Sequence, residues 1–381
     1  MRASLLIIFA SILFLPDIYF FFAHTRKKKW YFTLLLILPT LIAVASTFWW
    51  VAGTDSTLPP KVLFTVMVCC SLPKVAASAV LLLGRVAGLL SKRVIRYFDY
   101  AAIVVTSLTL LAAIYGCTYG RMQIRVVEQT VECEDLPESF DGYRIVQISD
   151  IHIGTFSKKS TFISRLAKQT NAIQPDMIVF TGDLMNIRAS ELAGFEEDLS
   201  AFKAKDGIYS ILGNHDYGVY GHYQTQDGRQ RNVDDLRKAE RSFGWNLLED
   251  EHRFIHRGCD SIALIGVGDI GKPPFPHFGN LDMAMSGIPK GTFQILLSHD
   301  PSHWRWEVIP QSDIQLTLSG HTHAMQLKVG SFSPAKWKYP EWGGLYKEGK
   351  QQLFVSIGVG GTIPFRLGAF PEIVVLTLKG K

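Results

Sequence analysis

Two hydrophobic rhythms divide the chain. In the first third, apolar residues run almost unbroken through four stretches, 4–23, 31–52, 62–83 and 100–118. Each approaches the ~20 residues that a helix needs to cross the hydrocarbon core of a bilayer. Soluble helices keep a polar face, so all-apolar runs of this length predict membrane spans rather than buried core helices. A cleaved leader does not suit the first stretch. Phe20, Phe21 and Phe22 stand where the small residues of a cleavage site are needed, and further spans follow. After residue 120 the apolar runs shorten to strand length and end in polar residues: RIVQISD (144–150), DMIVFTGD (176–183), GIYSILGN (207–214), QILLSHD (294–300) and QLTLSGH (315–321). Short runs of β-branched and apolar residues bounded by Gly or Ser read as buried strands.

The spacing further predicts strands over 121–133 and 261–269 and helices over 158–173 and Glu191–Lys203. Asn232 is placed to cap a helix over 233–243 that Gly244 closes. Alternating strands and helices define an α/β domain. The expected organisation is an all-α transmembrane region over 1–120 and an α/β domain over 121–381.

Charge follows the same division. Residues 1–125 hold 13 Lys/Arg against three Asp/Glu, whereas 126–381 hold 26 against 31. The basic balance of the whole chain therefore belongs to the apolar third, and the mildly acidic globular part has no basic, aromatic-interleaved stripe for nucleic acid. The first loop carries Arg26, Lys27, Lys28 and Lys29. The second, Gly53 to Pro60, has no Lys or Arg, and the third has Arg85, Lys92, Arg93 and Arg96. Basic loops stay cytoplasmic, so a multi-pass protein of the inner (plasma) membrane with its α/β domain outside the cytoplasm is expected, with membrane lipids as neighbours.

The ends of the five runs carry the chemistry: Asp150-x-His152, Gly182-Asp183, Gly213-Asn214-His215-Asp216, Ser298-His299 and Gly320-His321-Thr322-His323. In open α/β sheets, ligands gather beyond the carboxyl ends of the strands. Carboxylates, imidazoles and an amide converging there suit two divalent metals that clamp the attacking and leaving oxygens of a displacement at phosphorus. Asp183 can bridge, with Asp150, His152, Asn214, His299, His321 and His323 as terminal ligands. Oxygen and nitrogen donors without thiolate favour Mn, Fe or Zn over Ca.

The ordered set D-x-H, GD, GNHD, H and GHxH resembles the signature of the calcineurin-like metallophosphoesterase family, and within it the membrane-anchored bacterial subgroup of the YkuE and YaeI phosphodiesterases. The resemblance covers roughly residues 130–378, including Gly343-Gly344-Leu345-Tyr346 and SIGVGGTIPFRLGAFPEI (356–373). It implies a four-layer αββα sandwich with two mixed sheets. It implies one metal on Asp150, His152, Asp183 and His323, and a second on Asp183, Asn214, His299 and His321. A bridging hydroxide would be the nucleophile. His215 would protonate the leaving oxygen or stabilise the transition state, and Asp216 would orient His215. The substrate implied is a phosphodiester, phosphomonoester or pyrophosphate, including lipid- or envelope-linked ones. Some relatives of this fold cleave UDP-diacylglucosamine, which is an alternative reading; a non-catalytic metal-binding membrane protein is another.

Several residues stay open at this level. Asp17 lies inside the first span and pairs with the first-loop lysines or marks a function. Cys133 and Cys259 could form a disulfide in an oxidising compartment. His303 either meets substrate or lies on the surface, and Arg366 either approaches phosphate or forms a salt bridge. His222, Arg229 and Arg231 belong to a polar loop over 217–232 that starts from a ligand strand.

Overall fold

A computed structural model describes residues 2–53, 56–223, 225–272 and 277–381. Thr54 and Asp55 of the second loop, and Gln224 of the 217–232 loop, lie outside the described residues. The chain forms two compact units, Met1–Arg121 with Ile363–Leu367, and Met122–Thr362 with Gly368–Lys381.

The first unit is helical. It contains α1 (Arg2–Phe20), which continues into a π turn at Phe21–Thr25, then α2 (Trp30–Val51), α3 (Leu58–Ala87) and α4 (Lys92–Thr118). Among the described residues, three helical segments, Trp30–Val51, Leu58–Ala87 and Lys92–Met122, are long and apolar enough to cross a membrane, and Phe9–Thr25 is a shorter apolar one. Large apolar side chains such as Trp30, Leu35, Leu83 and Leu111 stay exposed on these helices, as lipid-facing positions do.

Asp17 corrects one expectation. Its Oδ1 lies 2.6 Å from Lys74 Nζ and its Oδ2 accepts from Thr40 Oγ1 at 2.6 Å, while Lys74 also donates to Leu36 O at 2.6 Å. The partner is thus a lysine inside α3, not the loop lysines. A buried carboxylate gains more from a cation fixed beside it than from reaching to the interface. Losing one charge strands the other, so Asp17→Asn or Lys74→Met alone is expected to cost about 3 kcal/mol, and the double variant less than either. Thermal unfolding of the three variants in detergent checks this; equal losses in singles and double contradict it.

Among its described residues the second unit has twelve strands: β1 (Arg125–Cys133), β2 (Arg144–Ile148), β3 (Met177–Phe180), β4 (Ile208–Ser210), β5 (Asn246–Leu247), β6 (Glu251–Arg257), β7 (Asp260–Gly266), β8 (Phe293–Leu297), β9 (Leu316–Ser319), β10 (Gly344–Glu348), β11 (Gln351–Val355) and β12 (Glu372–Gly380). They form two mixed six-stranded sheets, ordered β1-β12-β2-β3-β4-β5 and β10-β11-β9-β8-β7-β6. In the first, β2, β3, β4 and β5 run parallel, and β12 pairs antiparallel with β2 and parallel with β1.

Alternation along the strands produces the layers, because successive side chains point to opposite faces. Ile145, Met177 and Val179 meet Leu264, Ile295, Leu297, Leu316 and Phe354 between the sheets. Val146, Ile148, Ile178 and Phe180 face outward and pack with α5 (Phe162–Ala172), α6 (Glu196–Ser200) and α7 (Gln226–Ser242). Ile265, Leu296 and Leu353 face the other way, against α8 (Leu281–Met285), Trp304 and Val308. This is the four-layer arrangement of two central sheets flanked by helices.

Two predicted helices have other bounds. Gly194, at φ +91°, breaks 191–203 into a short 3₁₀ turn and α6. The helix expected at 233–243 begins at Gln226, because Thr225 accepts from Gly228 N and caps it earlier. Arg229 and Arg231 are therefore helical, and Asn232 turns inward to accept from Ala189 N.

Candidate metal centre

All five predicted runs end on one edge, and the backbone there is unusual. Asp150, His152, Asp183, His321 and His323 all have positive φ, between 45° and 72°. L-residues pay about 1 kcal/mol or more for this conformation, and such strain collects at functional sites. Here it turns each side chain off its strand end and into a shared space. The glycines beside them leave the room. A Cβ on Gly213 would lie 2.6 Å from Asp183 N and 2.8 Å from His299 Cε1, and would also meet Asp183 Oδ1. Gly213→Ala is therefore expected to displace Asp183 and His299 and weaken metal binding at least about 10-fold. Calorimetric Mn²⁺ titration measures it; wild-type affinity in the variant contradicts the packing argument.

The donor atoms fall into two groups that share one oxygen. Asp183 Oδ2 lies 3.3 Å from His152 Nε2 and 3.2 Å from His299 Nε2. On the first side, His323 Nε2 is 3.2 Å from His152 Nε2 and 3.4 Å from Asp150 Oδ1. On the second, His321 Nδ1 is 3.3 Å from His299 Nε2 and 2.8 Å from Asn214 Oδ1. Donors bound at about 2.1 Å to one octahedral or tetrahedral ion stand roughly 3.0–3.4 Å apart. Most of the observed spacings match that, so Asp150, His152, Asp183 and His323 can hold one ion, and Asp183, His299, His321 and Asn214 another. Four of these residues, Asp150, His152, Asp183 and His299, are essentially inaccessible to solvent.

Electrostatics reinforce the arrangement. Burial pushes Asp183 up, but His299, His215 and the hydrogen bonds from His152 and His299 outweigh it and hold the carboxyl well below its usual range. Burial pulls His299 and His152 down, and Asp183 together with Asp150 lifts both above the ordinary imidazole value. Protons and divalent cations thus compete for the same nitrogens, so metal affinity weakens as the pH is lowered. Around the donors, His299 Nδ1 donates to Thr181 O at 2.7 Å, which leaves Nε2 for the cluster. Asp150 accepts from Ser149 Oγ at 2.6 Å and from His321 N at 3.0 Å.

His215 sits edge-on to His152, with ring centroids 4.7 Å apart. Its Nδ1 donates to Asn186 O at 2.6 Å, which leaves a lone pair on Nε2. Burial lowers its pKa to about 4, so the ring is neutral near pH 7. Asp216 does not orient it. Asp216 Oδ2 accepts from Asp183 N at 2.7 Å and Gly213 N at 3.0 Å, and Oδ1 from Met185 N at 3.1 Å. A carboxylate next to strained backbone finds its nearest donors there, and Asp216 braces the Asp183 turn. Glu191 does the same for 186–188, accepting from Asn186 N at 2.7 Å, Ile187 N at 2.9 Å and Arg188 N at 3.0 Å.

His303 is not a surface residue. It is fully buried, with Nδ1 2.8 Å from Ser298 Oγ and Nε2 3.0 Å from Glu307 Oε2, and so steadies the turn that carries His299. Arg366 is buried in the helical unit, and its N–H donates to Gly116 O at 3.0 Å. Cys133 is buried and Cys259 exposed, and both are free. Sequence reasoning missed Tyr220, whose Oη lies 2.9 Å from Asn214 Nδ2, and Tyr339, whose Oη lies 2.7 Å from His321 Nε2. Single tyrosines in loops carry no periodic or spacing signal.

A sandwich of two mixed sheets carries, at its strand ends, a carboxylate shared by two histidine-rich donor groups, each a candidate site for a metal ion. Residues 143–325 match the calcineurin-like phosphoesterase family, and the chain carries a metallophosphoesterase domain of that family. It is 31% identical over 285 residues to a transmembrane protein with metallophosphoesterase domain from Danio rerio, covering 73% of this chain and 62% of that protein. The chain thus spans less than two thirds of that relative's length. It is 28% identical over 269 residues to metallophosphoesterase YkuE of Bacillus subtilis, covering 67% of this chain and 86% of YkuE. It is 25% identical over 292 residues to UDP-2,3-diacylglucosamine pyrophosphatase LpxG of Chlamydia muridarum, covering 63% of this chain and 86% of LpxG.

Proposed function

We propose that this chain is a membrane-anchored, two-metal phosphoric ester hydrolase that cleaves a phosphodiester, phosphomonoester or pyrophosphate. The observation that carries the proposal is Asp183 Oδ2, placed 3.3 Å from His152 Nε2 and 3.2 Å from His299 Nε2, where one oxygen can serve two ions. Asp150, His152, Asp183 and His323 would hold the first ion, and Asp183, Asn214, His299 and His321 the second. Two bound divalent ions supply water activation and neutralise charge developing on phosphoryl oxygens.

The protein's own groups do the rest. Asp183 keeps both donor groups in register, and Asp216 locks its turn through the backbone N–H groups of 183–185. His215, neutral and with its lone pair on Nε2, takes up the proton lost by the attacking water and returns it to the leaving oxygen. Asn186 O fixes its tautomer.

Residues 1–120 would form the membrane region and 121–381 the catalytic domain. The basic first and third loops support a cytoplasmic N-terminus and an extracytoplasmic domain in the inner membrane, with a lipid- or envelope-linked substrate within reach. The similarity to LpxG favours a second reading, a lipid-linked nucleoside-diphosphate sugar as substrate. That reading places the domain in the cytosol, and a compartment-specific reporter fused after Lys381 decides between them. Activity itself is tested with bis-p-nitrophenyl phosphate and Mn²⁺. Metal-dependent release of nitrophenol supports the proposal, and metal-replete protein inactive on a panel of mono-, di- and pyrophosphate esters contradicts it.

A further inference from the structure

Asn214 and His321 each turn one atom toward the second donor group, and that choice dictates what the rest of the side chain does. Asn214 Oδ1 and His321 Nδ1 lie 2.8 Å apart, and His321 Nδ1 is 3.3 Å from His299 Nε2. With those atoms facing a cation, the asparagine keeps only its amide N–H groups and the imidazole only Nε2–H. Both are then donors and nothing else. Each proton ends on a phenol: Asn214 Nδ2 donates to Tyr220 Oη at 2.9 Å, and His321 Nε2 to Tyr339 Oη at 2.7 Å. The two tyrosines are therefore acceptors toward the ligands, and each retains its own O–H proton. Among the described residues, neither hydroxyl makes another hydrogen bond.

Their position says where those protons go. The Tyr220 ring packs on His215 with centroids 4.3 Å apart, and the Tyr339 ring stands edge-on to His321 at 5.3 Å. Tyr339 is 9% exposed and Tyr220 41%, so the first is a buried residue beside its ligand and the second is open to solvent beside its own. A phosphoryl group presents oxygens that accept and do not donate, and a phenol beside it meets no competing donor. We propose that Tyr220 and Tyr339 are substrate-binding residues that donate their O–H protons to phosphoryl oxygens on the second-metal side, while their lone pairs hold Asn214 and His321 in place. The assignment rests on the two-metal reading.

The test uses the full-length protein in detergent with Tyr220→Phe and Tyr339→Phe, which keep the rings and remove only the hydroxyls. Mn²⁺ is titrated calorimetrically, and inorganic orthophosphate is then titrated at saturating Mn²⁺. Each variant is expected to bind orthophosphate about 10-fold more weakly. Each is also expected to bind the second Mn²⁺ about 10- to 100-fold more weakly, with the first unchanged. Wild-type orthophosphate affinity in both variants at saturating Mn²⁺ overturns the assignment, whatever the metal affinities do. A wild type that binds fewer than two Mn²⁺ overturns both this assignment and the two-metal reading. A wild type that binds two Mn²⁺ yet hydrolyses no phosphoester contradicts the activity alone, and the tyrosine comparison still reads out.

Discussion

Asp183→Asn is expected to empty both metal sites together and to lower phosphoesterase turnover by at least ~1,000-fold, about 4 kcal/mol of barrier. The side chain keeps its size and can still accept from His215 N through its amide oxygen, as Asp183 Oδ1 does now at 2.9 Å. What it loses is the charge on the oxygen shared by His152 and His299. A neutral amide leaves the imidazoles on both sides without the carboxylate that balances a divalent ion. Elemental analysis of purified variant and wild type reads the metal content, and circular dichroism shows whether the fold survives. A variant that loses one ion and keeps the other tightly would show that the two groups are independent, contrary to a shared ligand.

His215→Ala should behave in the opposite way toward metal. His215 hydrogen-bonds Asp183 Oδ1 through its backbone N–H and Asn186 O through its imidazole, and its ring lies edge-on to His152. Two ions should therefore remain, with KM little changed. The rate constant for turnover should fall about 100- to 10,000-fold, the usual contribution of a positioned proton-transfer group. Loss of metal in His215→Ala would instead make the histidine a structural prop. Undiminished turnover would remove it from the reaction. Together the two variants would separate metal holding from proton transfer, because the proposed mechanism puts Asp183 on both ions and His215 on neither.

Much of this architecture is visible in the residues. The ligand strands β2, β3, β4, β8 and β9 are short, buried on both faces and closed by Gly or Ser, and each delivers a polar residue at its carboxyl end. Buried parallel strands advertise themselves as continuous apolar runs. The positive φ of Asp150, His152, Asp183, His321 and His323 has no such signal, since non-glycine residues there are held by the surrounding fold. Asn232 illustrates competition between caps: it suits an N-cap, but Thr225 starts the helix two turns earlier and Asn232 binds Ala189 N instead. Lys74 lies within an apolar run, where no local pattern marks it as the partner of Asp17. His303 and the tyrosines depend on contacts between residues far apart in sequence or on a turn whose path no local pattern announces.

If one carboxylate oxygen serves two ions, anomalous diffraction from crystals of the Mn²⁺-loaded protein will locate both beside it. Two manganese peaks about 3.5–4 Å apart are expected on either side of Asp183, one flanked by His152 and His323 and the other by His299 and His321. A single peak, or two peaks that do not share Asp183, would contradict it.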